Sequence, residues 1–440
     1  MTDSPKSRDL YERAKRVMPA GNTRHTVYRQ PYQVYAASGD GCRITDVDGT
    51  VRIDATGNFT SLIHGYGNPR IREAAIGQIE TGTCFGMPTP GEVRLSEILA
   101  ERLPAVEQVR YCNSGTEAVM NAIKVARAYT GRRVLAKVEG AYHGTYDPAE
   151  TSQDARPESW GDADTPASVA TARGTPQGVL DDVAVIPFND AARAERILRA
   201  KGNDLAAVLV DAMPNRAGLI PASDEFLSML RRVTREMEAL LILDEVITFR
   251  LGYHGAQGRF GVDPDLTALG KVIGGGFPVG AIAGKAEYLS VYDPSEGRPA
   301  VQHGGTFSAN PVTMASGIAA LEELTPATFD HLESLGEQFA KGAADCFARH
   351  GVKAQVTGLG SLRRIHMTDA SLTDFRSLFA TPDAAQQVAD LARAVFDEGV
   401  LMAANGLMAF STPMTRDDIE EILSAFDRAL PRVLDGSDRG

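Results

Sequence analysis

Apolar runs of strand length recur through the middle of the chain: "RVLAKV" (133–138), "VAVIPF" (183–188), "LAAVLV" (205–210) and "ALLILDEV" (239–246). They are nearly continuous rather than alternating, the pattern of strands covered on both faces. Segments of helical period lie around them, near 116–130, 190–200 and 224–238. In the first, Val119, Ala122, Ile123 and Ala126 fall at i, i+3, i+4 and i+7 and share one helix face. Buried strands alternating with helices predict an α/β fold, a doubly wound and mostly parallel sheet with helices on both sides. This block runs from about 65 to 320.

The flanks read differently. Residues 33–55 hold short strands around a turn at Asp46-Val47-Asp48-Gly49-Thr50, a hairpin signal. After 325 come two long helical patterns, then "VLMAA" and "LMAFST", then a last helix from Asp417 to Leu430. The two ends are expected to combine into a smaller α+β domain. The expected limits are 1–64 and 326–440 for its two segments and 65–325 for the large domain. The polar, Pro-, Asp- and Gly-rich stretch 147–180 is long for a loop, so it is either functional or mobile.

Composition narrows the function classes. At 440 residues, 43% apolar and 23% charged, the chain is globular and long enough for two or three domains. A formal charge of −12 argues against nucleic acid or an anionic membrane as partner. Cys42, Cys84, Cys112 and Cys346 are scattered, with no zinc or disulfide spacing, and read as reduced core cysteines of a cytoplasmic protein. The charged N-terminus has no apolar signal-peptide core, and no apolar run is long enough to span a bilayer.

Three positions carry the chemistry. Ser114 follows the strand-like "VRYCN" and opens a helix, with Glu117 completing a capping box. The same free N–H groups, flexible Gly115 and hydroxyls of Ser114 and Thr116 suit a phosphate, so cap and anion site both stand as readings. Asp244 ends a buried strand, at the edge of a parallel sheet where ligands bind. It can cap the next helix, act as a base or pair with a ligand cation. No histidine cluster stands near it, so no metal is expected. Lys271 comes 27 residues after Asp244, between an apolar run and Gly274-Gly275-Gly276. It is either a solvated loop lysine or a desolvated amine with nucleophilic character. Taken together, a phosphate cradle, a strand-end carboxylate and a lysine nucleophile are what pyridoxal 5′-phosphate requires. The glycines are expected to admit a cofactor and a second subunit at close range.

Five stretches, "NSGTEAVMNAIKVARAYTGR", "EGAYHG", "LILDEVITFR", "TALGKVIGGGFPVG" and "HGGTFSANPVTMASG", resemble the class III aminotransferases. Within that class the chain resembles the glutamate-1-semialdehyde 2,1-aminomutase branch and the neighbouring β-amino-acid transaminases, from about Arg13 to Leu430. The resemblance implies a fold-type I homodimer with active sites at the interface and small-molecule amino and keto substrates. By position it implies that Ser114, Gly115 and Thr116 bind the phosphate and that Tyr142 and Val246 cover the two ring faces. Asp244 pairs with the pyridine nitrogen, Lys271 is the Schiff-base lysine and proton carrier, and Thr306 reaches the phosphate in the partner subunit.

The substrate is read from departures. The aminomutases carry a gating glutamate where this chain has Gly406-Leu407-Met408, and a tyrosine where it has Gln302-His303. Asp211-Ala212 replaces the commoner Glu-Pro. "MPAGNTRHTVYRQP" resembles the segment whose arginine binds substrate carboxylate in β-amino-acid transaminases, which gives that part to Arg24; some of those enzymes hold a second arginine near Asn405. The leading expectation is an aminotransferase moving an amino group between an amino acid, or an amine, and a keto acid. The rivals are the aminomutase and, from another class, an inactive pyridoxal-phosphate-binding regulator or scaffold. The latter would lack the lysine, the aspartate or the phosphate loop, and all three are present.

Overall fold

The computed structural model describes residues 4–295 and 297–434. Strands β1 (Ala36–Asp40), β2 (Arg43–Asp46) and β3 (Val51–Asp54) form an antiparallel meander near the start of the chain. The central strands are β4 (Gln108–Cys112), β5 (Val134–Val138), β6 (Val183–Ile186), β7 (Leu205–Val210), β8 (Leu240–Asp244), β9 (Leu266–Gly270) and β10 (Gly280–Gly284). They form one sheet in the order β4-β10-β9-β8-β7-β5-β6. All its neighbours are parallel except β10, which runs antiparallel to β4 and β9. Every residue of β5 to β10 is buried, which is why these strands read as continuous apolar runs.

The covering helices begin and end on chemical signals. Helix Gly115–Thr130 starts at Ser114, whose side chain accepts from the Glu117 N–H, and stops at Gly131 in the left-handed region. Helix Asp224–Glu236 is capped by Ser223, carries Asp224 and Glu225 in its first turn, and buries Phe226, Leu230 and Val233.

Near the C-terminus β11 (Gln355–Thr357), β12 (Leu362–His366), β13 (Val400–Leu401) and β14 (Leu407–Ala409) follow. β13 pairs parallel with β3, Val400 opposite Ile53, so the two ends of the chain share a sheet. Ile53, Phe339, Phe410 and Phe426 meet in one core beneath helices Pro326–Arg349 and Arg416–Leu434. We propose the division at 64/65 and 325/326, which this common core supports; residues 1–3 and 435–440 of the outer segments lie outside the described residues.

Two expectations change. Cys84 is exposed rather than in the core, because the Gly- and Pro-rich segment that carries it crosses the surface between two helices. The stretch 147–180 is held by specific contacts. Trp160 packs edge-on against Phe375 and Phe379, and Arg376 bridges Glu139 to the Trp160 carbonyl. Among the described residues no helix is long and apolar enough to cross a membrane.

His366 on β12 ties the smaller part to the larger one. Its Nε2 lies 3.0 Å from the Gly218 carbonyl and 3.0 Å from Thr357 Oγ1. Burial and the neighbouring Arg364 cation push its pKa down to about 4. Between that value and about 6.5 the unfolded chain holds a proton that the folded chain does not. Folding stability therefore rises with pH across this window and is lost as pH falls through it, by up to about 3 kcal/mol. Denaturant melts at pH 4.5 and 7 should show a smaller pH dependence for His366→Gln than for the wild type; superimposable profiles would contradict the assignment.

Candidate active site

Five strands of the central sheet end at the same edge, and each delivers a polar group at or shortly past its last residue. β4 leads to Ser114, β5 to Tyr142 and His143, β7 to Asp211, β8 ends on Asp244, and β9 leads to Lys271. The groups line one cleft of about 340 Å³, within the usual range of small-ligand sites. Ser114, Gly115, Thr116, Tyr142, Asp244, Val246 and Lys271 are thus brought together in one cleft.

At the floor, Asp244 Oδ2 lies 2.7 Å from His143 Nδ1, and its Oδ1 accepts the Val246 N–H at 3.0 Å. Burial lowers the His143 pKa, opposed by the hydrogen bond and charge of Asp244. A neutral His143 donating from Nδ1 leaves its buried Nε2 without a partner. The ring thus holds the Asp244 carboxylate in place. His143 is not among the residues expected from the sequence; its place beside Tyr142 in "EGAYHG" is the signal the sequence holds for it.

Asp211 is buried, and its carboxyl accepts the Met213 N–H at 2.9 Å. Burial, and then the Asp244 charge, push its pKa well up. The Asp-Ala departure therefore places a carboxyl beside Asp244 and Lys271 that resists carrying a second negative charge.

Lys271 has φ 48°, in the left-handed region, and opens a single turn ending at Gly274. Desolvation lowers its amine pKa, opposed by Asp244 and Asp211. A lysine with a larger neutral fraction is a better nucleophile. Among the glycines after it, Gly275 is required by a contact within the chain itself. Gly275 sits at φ 59°, and a Cβ there would lie 2.3 Å from the Ser316 carbonyl. The close approach is made by the chain's own helix Pro311–Glu323, while Gly276 faces the cleft.

At the helix start, a Cβ on Gly115 would lie 2.8 Å from Val246 Cγ1. The bare backbone lets the N–H groups of the first turn face the cleft, ready for an anion. Tyr142 is partly exposed, with the Arg216 guanidinium 4.8 Å from its ring centre. The donor set suits a ligand with a phosphate at one end, a protonatable ring nitrogen at Asp244 and an electrophilic carbon near Lys271.

Two expected residues stand apart. Arg24 is outside the lining, but its guanidinium donates to Asn58 Oδ1 at 2.8 Å, and Asn58 lines the cleft. Thr306 is exposed and not among the lining residues, and its carbonyl lies 3.8 Å from Cys84 Sγ. Leu407 and Met408 are buried core residues of β14 and offer no gate over the cleft.

A family model described as aminotransferase class-III matches residues 26–430. Over 435 residues the chain is 36% identical to glutamate-1-semialdehyde 2,1-aminomutase 1 of Staphylococcus epidermidis, covering 98% of this chain and 99% of that protein. Among solved structures it is similar to an omega-transaminase from Sphaerobacter thermophilus, at 47% identity and TM-score 0.96, covering 98% and 99% of the two chains. It is also similar to a β-phenylalanine aminotransferase from Variovorax paradoxus, at 32% identity and TM-score 0.86, covering 97% and 94%. A match over nearly the whole length, on a cleft built from five strand ends, shows that this chain belongs to the class-III aminotransferase family.

Proposed function

We propose that this protein transfers an amino group from a carboxylate-bearing amino acid, of the β-amino acid class, to a keto acid. The observation that carries the reading is the convergence of Lys271, the His143-backed Asp244 and the Ser114 helix start in one cleft. Class-III aminotransferases use pyridoxal phosphate. When bound, it supplies an electron sink for the carbon that bears the amino group.

The chain's own residues do the rest. Ser114, Gly115 and Thr116 would hold the phosphate, and Tyr142 and Val246 would flank the ring. Asp244 would keep the ring nitrogen protonated, with His143 holding the carboxylate in place. Lys271 would anchor the aldehyde covalently, and its amine, once released, would carry the proton between the two carbons that exchange it. Arg24 at the rim would bind the substrate carboxylate through paired N–H donors. The aminomutase is the second reading, favoured by the name of the Staphylococcus relative. The buried, uncharged Leu407 and Met408 weigh against it, because they supply no gate to retain a diamino intermediate.

We further propose a homodimer whose partner supplies Thr306. Phe85, Met87 and Phe307 are exposed around that loop, an apolar patch of the kind that marks an interface. A cytoplasmic location is our reading of four unpaired cysteines.

The direct test is a half-reaction. The holoenzyme, mixed with a β-amino acid and no keto acid, should release stoichiometric keto product and accumulate the pyridoxamine form. Asp244→Asn should slow this step by about 100-fold, on the order of 3 kcal/mol, without a matching loss of thermal stability. Arg24→Ala should raise KM for carboxylated donors by tens-fold, about 2 kcal/mol, and spare simple amines. Conversion of glutamate-1-semialdehyde to 5-aminolevulinate with no accumulated pyridoxamine form would establish the aminomutase instead. Sedimentation equilibrium should give a dimer; an active monomer would contradict the shared site.

A further inference from the structure

In the smaller domain, two long helices bring three metal-ligating side chains together. Cys346 and His350 are four residues apart and share one face at the end of helix Pro326–Arg349. Asp427 meets them from helix Arg416–Leu434. Among the described residues this is the one place where three or more Cys, His, Asp or Glu side chains hold ligand atoms within 4.8 Å of one another. Cys346 is 1% exposed, while the side chains of His350 and Asp427 are 23% and 47% exposed, so an ion has a path in from solvent. None of the three lines the cleft. The grouping is hidden in the sequence, because Asp427 comes 77 residues after His350.

One oxygen is the focus of the group. Asp427 Oδ1 lies 3.0 Å from His350 Nε2, 3.5 Å from Cys346 Sγ and 2.7 Å from a guanidinium nitrogen of Arg349. Three donors thus converge on one oxygen, which offers about two lone-pair sites. A tetrahedral ion with bonds of about 2.3 Å to sulfur and about 2.0 Å to nitrogen and oxygen sets its ligand atoms about 3.3–3.5 Å apart. The separations of Nε2 and Sγ from Oδ1 come close to those edges, so little movement is needed to admit an ion. A thiolate and a carboxylate together balance a divalent charge, and a sulfur–nitrogen–oxygen set selects zinc-like ions over magnesium or calcium. Burial, and then Asp427, push the Cys346 thiol up to about 11, so the ion must displace the thiol proton to solvent as it binds. Arg349 is the competing occupant of Oδ1, and its side chain is 59% exposed, with water to turn into.

We propose that Cys346, His350 and Asp427 form a site for a zinc-type divalent cation, with water as the fourth ligand, that clips the end of helix Pro326–Arg349 to helix Arg416–Leu434. The ion takes Sγ, Nε2 and Oδ1, and Arg349 gives up its place on that oxygen. The site lies apart from the cleft and does not depend on the aminotransferase reading. Both helices cover the core that holds Ile53, Phe339, Phe410 and Phe426, so an ion bound only in the folded state stabilises that part of the chain. The competing account is an Arg349–Asp427 surface ion pair with the histidine and thiol beside it. On that account no ion binds, and the exposed pair contributes little.

Metal titration of the holoenzyme, stripped of metal by a chelator and carrying no histidine tag, separates the two. Calorimetry with Zn²⁺ should give one ion per chain. Co²⁺ should give the intense long-wavelength d–d bands of a tetrahedral site, clear of the absorption of the cofactor. Cys346→Ala should abolish those bands, and His350→Gln and Asp427→Asn should each weaken Zn²⁺ at least about tenfold. Arg349→Gln should tighten Zn²⁺, because it frees Oδ1; a mere ion pair predicts no such gain. Zn²⁺ at about a hundredfold over its Kd should raise Tm by a few degrees in the wild type and not in Asp427→Asn. The rate of the amino-transfer half-reaction should stay the same in all four variants, which separates loss of the ion from damage to the fold. A wild type that gives neither a Zn²⁺ isotherm nor the Co²⁺ bands would overturn the proposal. So would binding that His350→Gln and Asp427→Asn leave undiminished, since the ion would then sit elsewhere. Should Cys346→Ala fail to fold, those two variants, at partly exposed positions, decide.

Discussion

A carboxylate fixed at the end of a buried strand governs the whole site. Asp244 closes β8 in the middle of the central sheet, and His143, from beyond the end of β5, holds one of its oxygens at 2.7 Å. Charge in so dry a place is costly without a cation or donors. His143 and the Val246 N–H meet part of that need, and the remainder is directed into the cleft. The same negative charge opposes the loss of proton affinity that burial imposes on Lys271, and helps to drive Asp211 towards its neutral form. Electrostatics thus couples three side chains from three strand ends into one unit that favours a cationic heterocycle.

The scaffold explains why these groups meet. In a parallel sheet the carboxyl ends of neighbouring strands share an edge, and the chain there turns freely before the next helix. β10 is inserted antiparallel between β4 and β9, and it presents Gly280 rather than a side chain against the Ser114 carbonyl. A Cβ at Gly280 would lie 2.0 Å from that oxygen. The bare strand therefore keeps the helix start that faces the cleft close to the turn that carries Lys271.

What the sequence made legible follows from these constraints. β5 to β8 were readable because a strand buried on both faces is mostly apolar; Lys137 in β5 is a buried polar exception, its amine donating to the Val138, Ala141 and Thr151 carbonyls. Ser114, Asp244 and Lys271 stood out because each is polar at the end of such a run. His143 was hidden because its role is set by a contact 101 residues away in sequence. Arg216 and Arg364 were hidden for a related reason. Each is ordinary locally, and only the packing of β12 against the segment after β7 brings the two cations near each other. The glycines after Lys271 were noticed, but the helix that crowds Gly275 comes about 40 residues later and leaves no local trace.

The claim at the centre is that the cofactor is anchored on Lys271 in this cleft. The measurement that tests it most directly is borohydride reduction of the holoenzyme followed by peptide mass mapping. The account predicts a single pyridoxyl adduct on the peptide containing "ALGK", at Lys271, and none in Lys271→Ala. An adduct on another lysine, or cofactor retained covalently by Lys271→Ala, would contradict it.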